Sequence, residues 1–393
     1  MAKRKELAMK ILLFVSALAA MMFGVTFSVY ALDYTADLSL SLSEQYNDNI
    51  FLSHTDRTTD YITLISPAIA LSTRFEKADV SISYSPTFNL YKDHDENNST
   101  SHAASLLSHY RLTEKLTLGL SDTFVRTRES SAVRAIEGAG PINRGLERIT
   151  TNSLSGDLSY RLTGKISLLG NAVYTYTDTE TGTGDVSTYT GGLGASYLFS
   201  ERTTFRINAS YTLFDYTVGG NSTSSSYTAG IIYRLTPTIT ADAFGGIVIT
   251  RVDEPKRTDT GYTGGLSVTK TFERGTASIA YLQNVIAGVE STSPVRSQTV
   301  TLRYAAPVTT SLGASISAFY NRYKSIGSTG TSGIETNRTD MGGAADLSYG
   351  FLPWLSGTLS YSYVHSNDKL TDTGSYVNNI VMAGIRLSKQ ARF

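Results

Sequence analysis

Cysteine is absent from the 393 residues, tryptophan occurs once and proline eight times. Without cysteine there are no disulfides to hold a secreted fold and no thiolate metal site. Charge of neither sign dominates, with 34 basic and 34 acidic residues. No phosphate-binding loop and no nucleic-acid signature stands anywhere in the chain. Downstream of residue 32 there is no convincing helical period, and no apolar run long enough for a transmembrane helix. Read by hydropathy alone, that part of the chain is soluble. Membrane β-barrels defeat such a reading, because they spread their apolar residues over alternate positions.

What is abundant is a strand-and-turn vocabulary of Thr, Ser, Gly and Tyr, with 33 glycines and 25 tyrosines. The first residues differ. Lys3, Arg4, Lys5 and Lys10 precede an apolar run from Ile11 to Val29, and Val29-Tyr30-Ala31 gives a small-x-small exit. Residues 1–31 therefore read as a cleavable signal peptide and 32–393 as the mature chain, the competing reading being an uncleaved membrane anchor. Removing four basic residues and Glu6 leaves 30 basic against 33 acidic, a net charge of −3.

Alternation is the main signal. Val80, Ile82, Tyr84, Pro86, Phe88 and Leu90 are interleaved with Ser81, Ser83, Ser85, Thr87 and Asn89, and Phe205 to Leu213 and Leu312 to Tyr320 repeat the scheme. Side chains at period two give each strand one apolar and one polar face. Tight connections, such as Thr113-Glu114-Lys115 and Thr163-Gly164-Lys165, alternate with long polar ones, such as Tyr91 to Ser101 and Thr127 to Ile149. Short turns at one end and long loops at the other are the habit of outer-membrane barrels. The expected fold is an all-β, transmembrane, antiparallel up-and-down barrel of about eighteen strands, with sixteen to twenty allowed by the boundaries.

Strands that run toward the tight turns end in a common triplet, Tyr110-Arg111-Leu112, Tyr160-Arg161-Leu162 and Tyr233-Arg234-Leu235. Tyr110, Tyr160, Tyr197, Tyr233 and Tyr304 are expected to form an aromatic girdle at the lipid interface. The intervening Arg74, Arg111, Arg161, Arg234, Lys270, Arg303 and Arg386 then point into the lumen as a basic ring. Such a ring either favours anions or pairs with lumen acids, for which Asp79, Asp122 and Asp242 are the candidates. In the last strand Ile385, Leu387 and the terminal Phe393 share one apolar phase. This resembles the C-terminal strand that the barrel-assembly machinery reads, and Lys389 departs from it.

Five histidines (His54, His94, His102, His109 and His365) stand among many serines, and no catalytic constellation is recognisable from their spacing. No metal site of defined spacing and no cofactor is expected. Arg128 to Arg148, the longest loop, either folds into the lumen or lies on the surface, the commoner case.

The run from Leu40 through Tyr46-Asn47-Asp48-Asn49-Ile50-Phe51, followed by Thr55-Asp56-Arg57-Thr58-Thr59-Asp60-Tyr61, resembles the opening of a family of outer-membrane β-barrel porins, some encoded beside exopolysaccharide production and export genes. Tyr46, Asp48, Asn49 and Phe51 carry the likeness. It implies an outer-membrane barrel and a link to polysaccharide or periplasmic export components. By its own chemistry, Tyr46 to Asn49 is a turn cluster, read as a solvated loop. The expected function is a porin-like passive channel for small polar solutes or saccharides, in contact with outer-membrane lipid. The alternatives are an accessory part of exopolysaccharide export and a surface enzyme or adhesin built on the loops.

Overall fold

The computed structural model describes residues 33–128, 146–180, 185–253, 256–288, 293–326, 337–369 and 375–392. The segment read above as a signal peptide, Phe393 and most of the longest loop lie outside these. The strands are β1 Asp33–Asn47, β2 Asp60–Arg74, β3 Ala78–Tyr91, β4 Ser99–Arg111, β5 Leu116–Thr127, β6 Ile149–Arg161, β7 Ile166–Thr179, β8 Val186–Ser200 and β9 Thr203–Tyr216. They continue as β10 Ser222–Thr236, β11 Ile239–Val252, β12 Arg257–Phe272, β13 Gly275–Ile286, β14 Val295–Pro307, β15 Leu312–Ser325, β16 Asn337–Leu352, β17 Leu355–Asp368 and β18 Tyr376–Arg392.

All eighteen form one antiparallel sheet in chain order, closed by pairing of β1 with β18. Closure leaves no edge strand to satisfy, the condition for a sheet to cross lipid. The expected strand number and connection pattern both hold. Several tight turns are built alike from threonine. The Thr113 hydroxyl accepts hydrogen bonds from the backbone N–H of Lys115 and Leu116 at 3.2 and 3.1 Å. Thr163 does the same for Lys165 and Ile166, and Thr309 for Ser311 and Leu312. In the turn after β12, Gly275 has φ +115°, and a Cβ there would meet the Ala305 carbonyl at 2.6 Å.

The register sorts the side chains. Leu38, Leu40 and Leu42 of β1 stand opposite Ile69, Pro67 and Ile65 of β2, and opposite Lys389, Leu387 and Ile385 of β18. Apart from Lys389 this outward row is apolar, and outward apolar side chains elsewhere are as exposed, 74% at Leu193 of β8 and 63% at Ile207 of β9. Such exposure fits a lipid-facing surface and would be an aggregation hazard in water.

Burial is found in the opposite place. Nearly all fully buried strand residues face inward near the long-loop end, including Asn47, Ile62, Asn89, Phe214, Asn321, Tyr323, Val364 and Asn378. The packed core of this protein therefore lies inside its mouth, where loops fold inward.

Candidate functional site

The turn end of the lumen is the arginine end. Register places Arg74, Arg111, Arg161, Arg234, Arg303 and Arg386 on the inward face, one residue from the outward tyrosine or apolar residue that precedes each turn. Tyr110, Tyr160, Tyr197, Tyr233 and Tyr304 all take the outward phase. Tyr197, Tyr233 and Tyr304 are 42–44% exposed.

Lys270 is the exception in the ring. It pairs with Ile239 and Ala277 on the outward face, and its Nζ lies 4.7 Å from the centroid of the Phe272 ring. Here the final triplet is Lys270-Thr271-Phe272, so Thr271 occupies the inward place and Lys270 shares the phase of the aromatic. Its long stem lets the ammonium reach the interface from the lipid side.

The acids divide similarly. Arg74 Nε donates to Asp79 Oδ1 at 2.7 Å, as expected for a lumen pair. Asp242 binds Arg206 of β9, whose guanidinium also lies over the Phe244 ring. Asp122 faces outward, between Leu106 and Leu154 of the adjacent strands, and accepts a hydrogen bond from Asn152 Nδ2 at 2.8 Å. The phase of Leu116, Leu118 and Leu120 fixes this, so the expected lumen position of Asp122 is corrected.

Arg111 and Arg386 donate to neutral acceptors, the Glu76 carbonyl at 2.8 Å and Ser39 Oγ at 3.1 Å. Among the described residues neither forms an ion pair with an acid. Against this wall lies a cavity of about 560 Å³, lined by Thr35, Ser72, Arg74, Asp79, His109 and Arg392 among others.

Toward the loop end the lumen changes character. The first long connection, residues 48–59, folds inward. Leu52 packs on Phe319, Val364, Tyr376 and Ile380, all inward residues of β15, β17 and β18, while Ile50 packs on Ile62 and Tyr91 beside Leu146. Leu52 has φ 52°, a left-handed conformation that costs a non-glycine residue about 1–2 kcal/mol. The surrounding contacts must hold it there.

The family-like motif makes those contacts. Asn49 is fully buried. Its Nδ2 donates to the Ser53 and Val377 carbonyls at 2.8 and 2.9 Å, and its Oδ1 accepts from Ser53 N–H at 2.8 Å. Asn378 Nδ2 donates to Asn47 Oδ1 at 2.6 Å and to the Asn49 carbonyl at 3.0 Å. Asp48 accepts from the backbone and side-chain nitrogens of Asn379 at 2.6 and 2.7 Å. Tyr46 faces outward against Tyr61, with ring centroids 5.3 Å apart, and Phe51 stands edge-on to His94. The cluster expected to be a solvated turn is a buried lock that ties the first loop to the last strand.

Three further polar anchors escaped the sequence reading. Asp60, its side chain buried, accepts from the N–H groups of Tyr61, Asp93 and His94 and from the His94 ring, at 2.7–3.1 Å. Arg338 Nε donates to Asp340 at 2.6 Å and its Nη2 to the Tyr376 hydroxyl at 3.0 Å, all buried. At the stem of the longest loop, Glu180 accepts from Arg128 at 3.0 Å and from the Arg148 N–H at 3.3 Å. These donors hold its carboxyl below the usual carboxylate range. The available signal was asparagine and aspartate in the inward phase within a few residues of a long loop, at Asn47, Asp60, Asn89, Asn321 and Asn378.

Among the described residues no group of three His, Asp or Glu side chains could hold a metal ion. Asp60–His94 is a carboxylate–imidazole pair in which both partners serve loop attachment.

No protein-family model matches the sequence, and no curated protein matches it. Solved structures of similar shape include OpdK of Pseudomonas aeruginosa with vanillate, 11% identical over 91% of this chain and 99% of that one, with a TM-score of 0.49. Another is OccAB4 of Acinetobacter baumannii, 10% identical over 93% and 99%, TM-score 0.48. A third is the FrpB iron transporter of Neisseria meningitidis (F5-1 variant), 9% identical over 92% and 83%, TM-score 0.48. Likeness this distant carries nothing about what the present chain binds.

Proposed function

We propose that this chain is an outer-membrane channel through which small polar solutes, saccharides among them, pass by diffusion, with a mild preference for anions. The outward apolar face, bordered at the turn end by outward tyrosines, supports the membrane location. The observation that carries the anion preference is the set of inward arginines at the turn end, of which Arg111 and Arg386 are met by neutral acceptors. Uncancelled positive charge in a confined aqueous space concentrates anions and repels cations. Selectivity by size then falls to the packed mouth.

The test is single-channel conductance of the folded protein in a planar bilayer under a salt gradient. Discrete steps with an anion-selective reversal potential are expected, and the combined Arg111→Gln, Arg161→Gln and Arg234→Gln variant should lose the selectivity. A cation-selective wild type would overturn the anion preference, and silence of the wild type and of every pore variant, in barrels shown folded by heat-modifiable migration, would overturn the channel.

An accessory role in exopolysaccharide export is the second reading, favoured only by the likeness of the Tyr46–Phe51 motif. It expects a deletion strain to release less polymer, whereas the channel reading expects polymer release to be unchanged.

A further inference from the structure

The backbone ladder between β12 and β13 climbs from Phe272 opposite Gly275 to Gly264 opposite Gln283, and ends there. β12 goes on to Arg257 paired with β11 alone, and β13 goes on to Ile286 paired with β14. The wall above the break is closed by side chains. Gln283 Nε2 donates to the Tyr262 carbonyl at 2.6 Å, and Thr263 Oγ1 donates to the Gln283 carbonyl at 2.9 Å.

Two contacts show where the upper part of the β13–β14 hairpin goes. Arg296 has the outward phase of β14, in line with Leu302 and Tyr304, and Asp259 has the inward phase of β12. Yet Arg296 Nη2 donates to Asp259 Oδ2 at 2.6 Å. Val285 has the outward phase of β13, in line with Ile279 and Tyr281. Yet Val285 and Ala287 pack on Val186, Phe214 and Tyr216, which face inward from β8 and β9. The Gly288 N–H also donates to the Tyr216 hydroxyl at 3.2 Å. An outward face can touch an inner wall at both places only if the upper ends of β13 and β14 turn into the barrel. Gly261 makes the room, since a Cβ there would meet Arg296 Nη2 at 2.5 Å.

The sequence also fits a second position. Continuing the interrupted register sets Thr263 against Asn284, Tyr262 against Val285 and Thr260 against Ala287. Tyr262 and Val285 are then an apolar pair facing lipid, and Thr263 and Asn284 a polar pair facing the lumen, as the alternation of a barrel wall requires. The same apolar residues thus have two homes, one on the inner wall and one in the outer surface, and packed elements of this kind switch between discrete arrangements.

We infer that the upper ends of β13 and β14, Asn284 to Gly288 and Val295 to Ser297, are the gate of the channel, latched inside the lumen by Arg296 and Asp259, and that they open by zipping β13 into the wall beside β12. The inference rests on the channel reading above. The latch is suited to release, because its side chains are 33% and 30% exposed, and partly solvated ion pairs are weak and salt-sensitive.

The absence of cysteine permits a direct test. Val285→Cys with Phe214→Cys, joined by a short methanethiosulfonate cross-linker, should form in high yield and hold the pore at low conductance until dithiothreitol removes the link. In Asp259→Asn or Arg296→Gln backgrounds the cross-linking yield should fall and open-state occupancy rise, by about two- to fivefold for loss of a partly exposed pair. Exchanging the charges, Asp259→Arg with Arg296→Asp, should restore both. Cross-linked and reduced barrels that conduct alike would refute the gate, as would latch variants with wild-type yield and occupancy. A yield that falls while conductance stays constant would likewise refute it, showing a hairpin that moves without gating. The yield is read without any current. A silent wild type with conducting latch variants therefore supports the gate, and silence in all of them removes both gate and channel.

Discussion

Truncating Asn49 should open the mouth. The side chain makes three hydrogen bonds from a fully buried position, two donated to the Ser53 and Val377 carbonyls and one accepted from the Ser53 N–H. Each contributes about 0.5–1.5 kcal/mol net, and a backbone group left dry adds about 1–3 kcal/mol. Water entering the space vacated by the amide offsets part of this, so Asn49→Ala should cost the closed loop about 3 kcal/mol. At 1.4 kcal/mol per tenfold change, the open population of residues 48–59 rises about 100-fold. Leu52→Cys, at a position 4% exposed, reports that opening in an otherwise cysteine-free chain. Its labelling by a membrane-impermeant maleimide should be about 100-fold faster in the Asn49→Ala background than without it. Brief high-conductance events should appear in parallel. An increase below threefold, in a barrel that still shows heat-modifiable migration, would mean that the lock does not hold the loop and that packing around Leu52 does.

Asp122 lies in the lipid-facing phase, so Asp122→Leu should raise stability by about 1–2 kcal/mol in urea unfolding from vesicles; a destabilised variant would mean that the carboxylate does not face lipid. Lys270→Gln should leave the reversal potential unchanged while Arg234→Gln shifts it toward cations; equal shifts would return Lys270 to the lumen. Glu180 has a folded-state pKa below its ordinary value of 4.5. Its clip on Arg128 and Arg148 is therefore at full strength above that value and is lost as pH falls through the lowered one. Protease cleavage of the longest loop should be flat from neutral pH to about 5 and rise only in more acid solution. A rise beginning near neutrality would exclude Glu180 as its cause.

The barrel was legible because lipid and water impose a period of two on every strand, and because short connections at one end alternate with mostly longer ones at the other. The outward phase of the five tyrosines followed from the same period. Lys270 and Asp122 went astray where charge was given more weight than period. The leucines at 116, 118 and 120 already fixed Asp122 outward, and Phe272 fixed Lys270. The packed mouth was illegible for a different reason. Asn49 reads as a turn residue because its neighbours in sequence are turn residues, while its Val377 partner stands 328 positions away. The inward phase of Asn47 and Asp60 beside the loop marks polar anchors in the lumen, but nothing local names the distant partner that Asn49 finds. The interrupted β12–β13 ladder was hidden too, since both strands carry regular alternation past the break.

The lock joins the β1–β2 loop to β18, the strand that closes the sheet on β1. Asn49 and Asp48 wait for Val377, Asn378 and Asn379, and these come into position only when β18 closes on β1. Loop closure over so long a separation makes this a late contact in folding. A barrel stalled with β1 and β18 apart cannot complete this lock, so its first loop stays unfastened on that side, and the fastened loop serves as a chemical signature that the ring is complete.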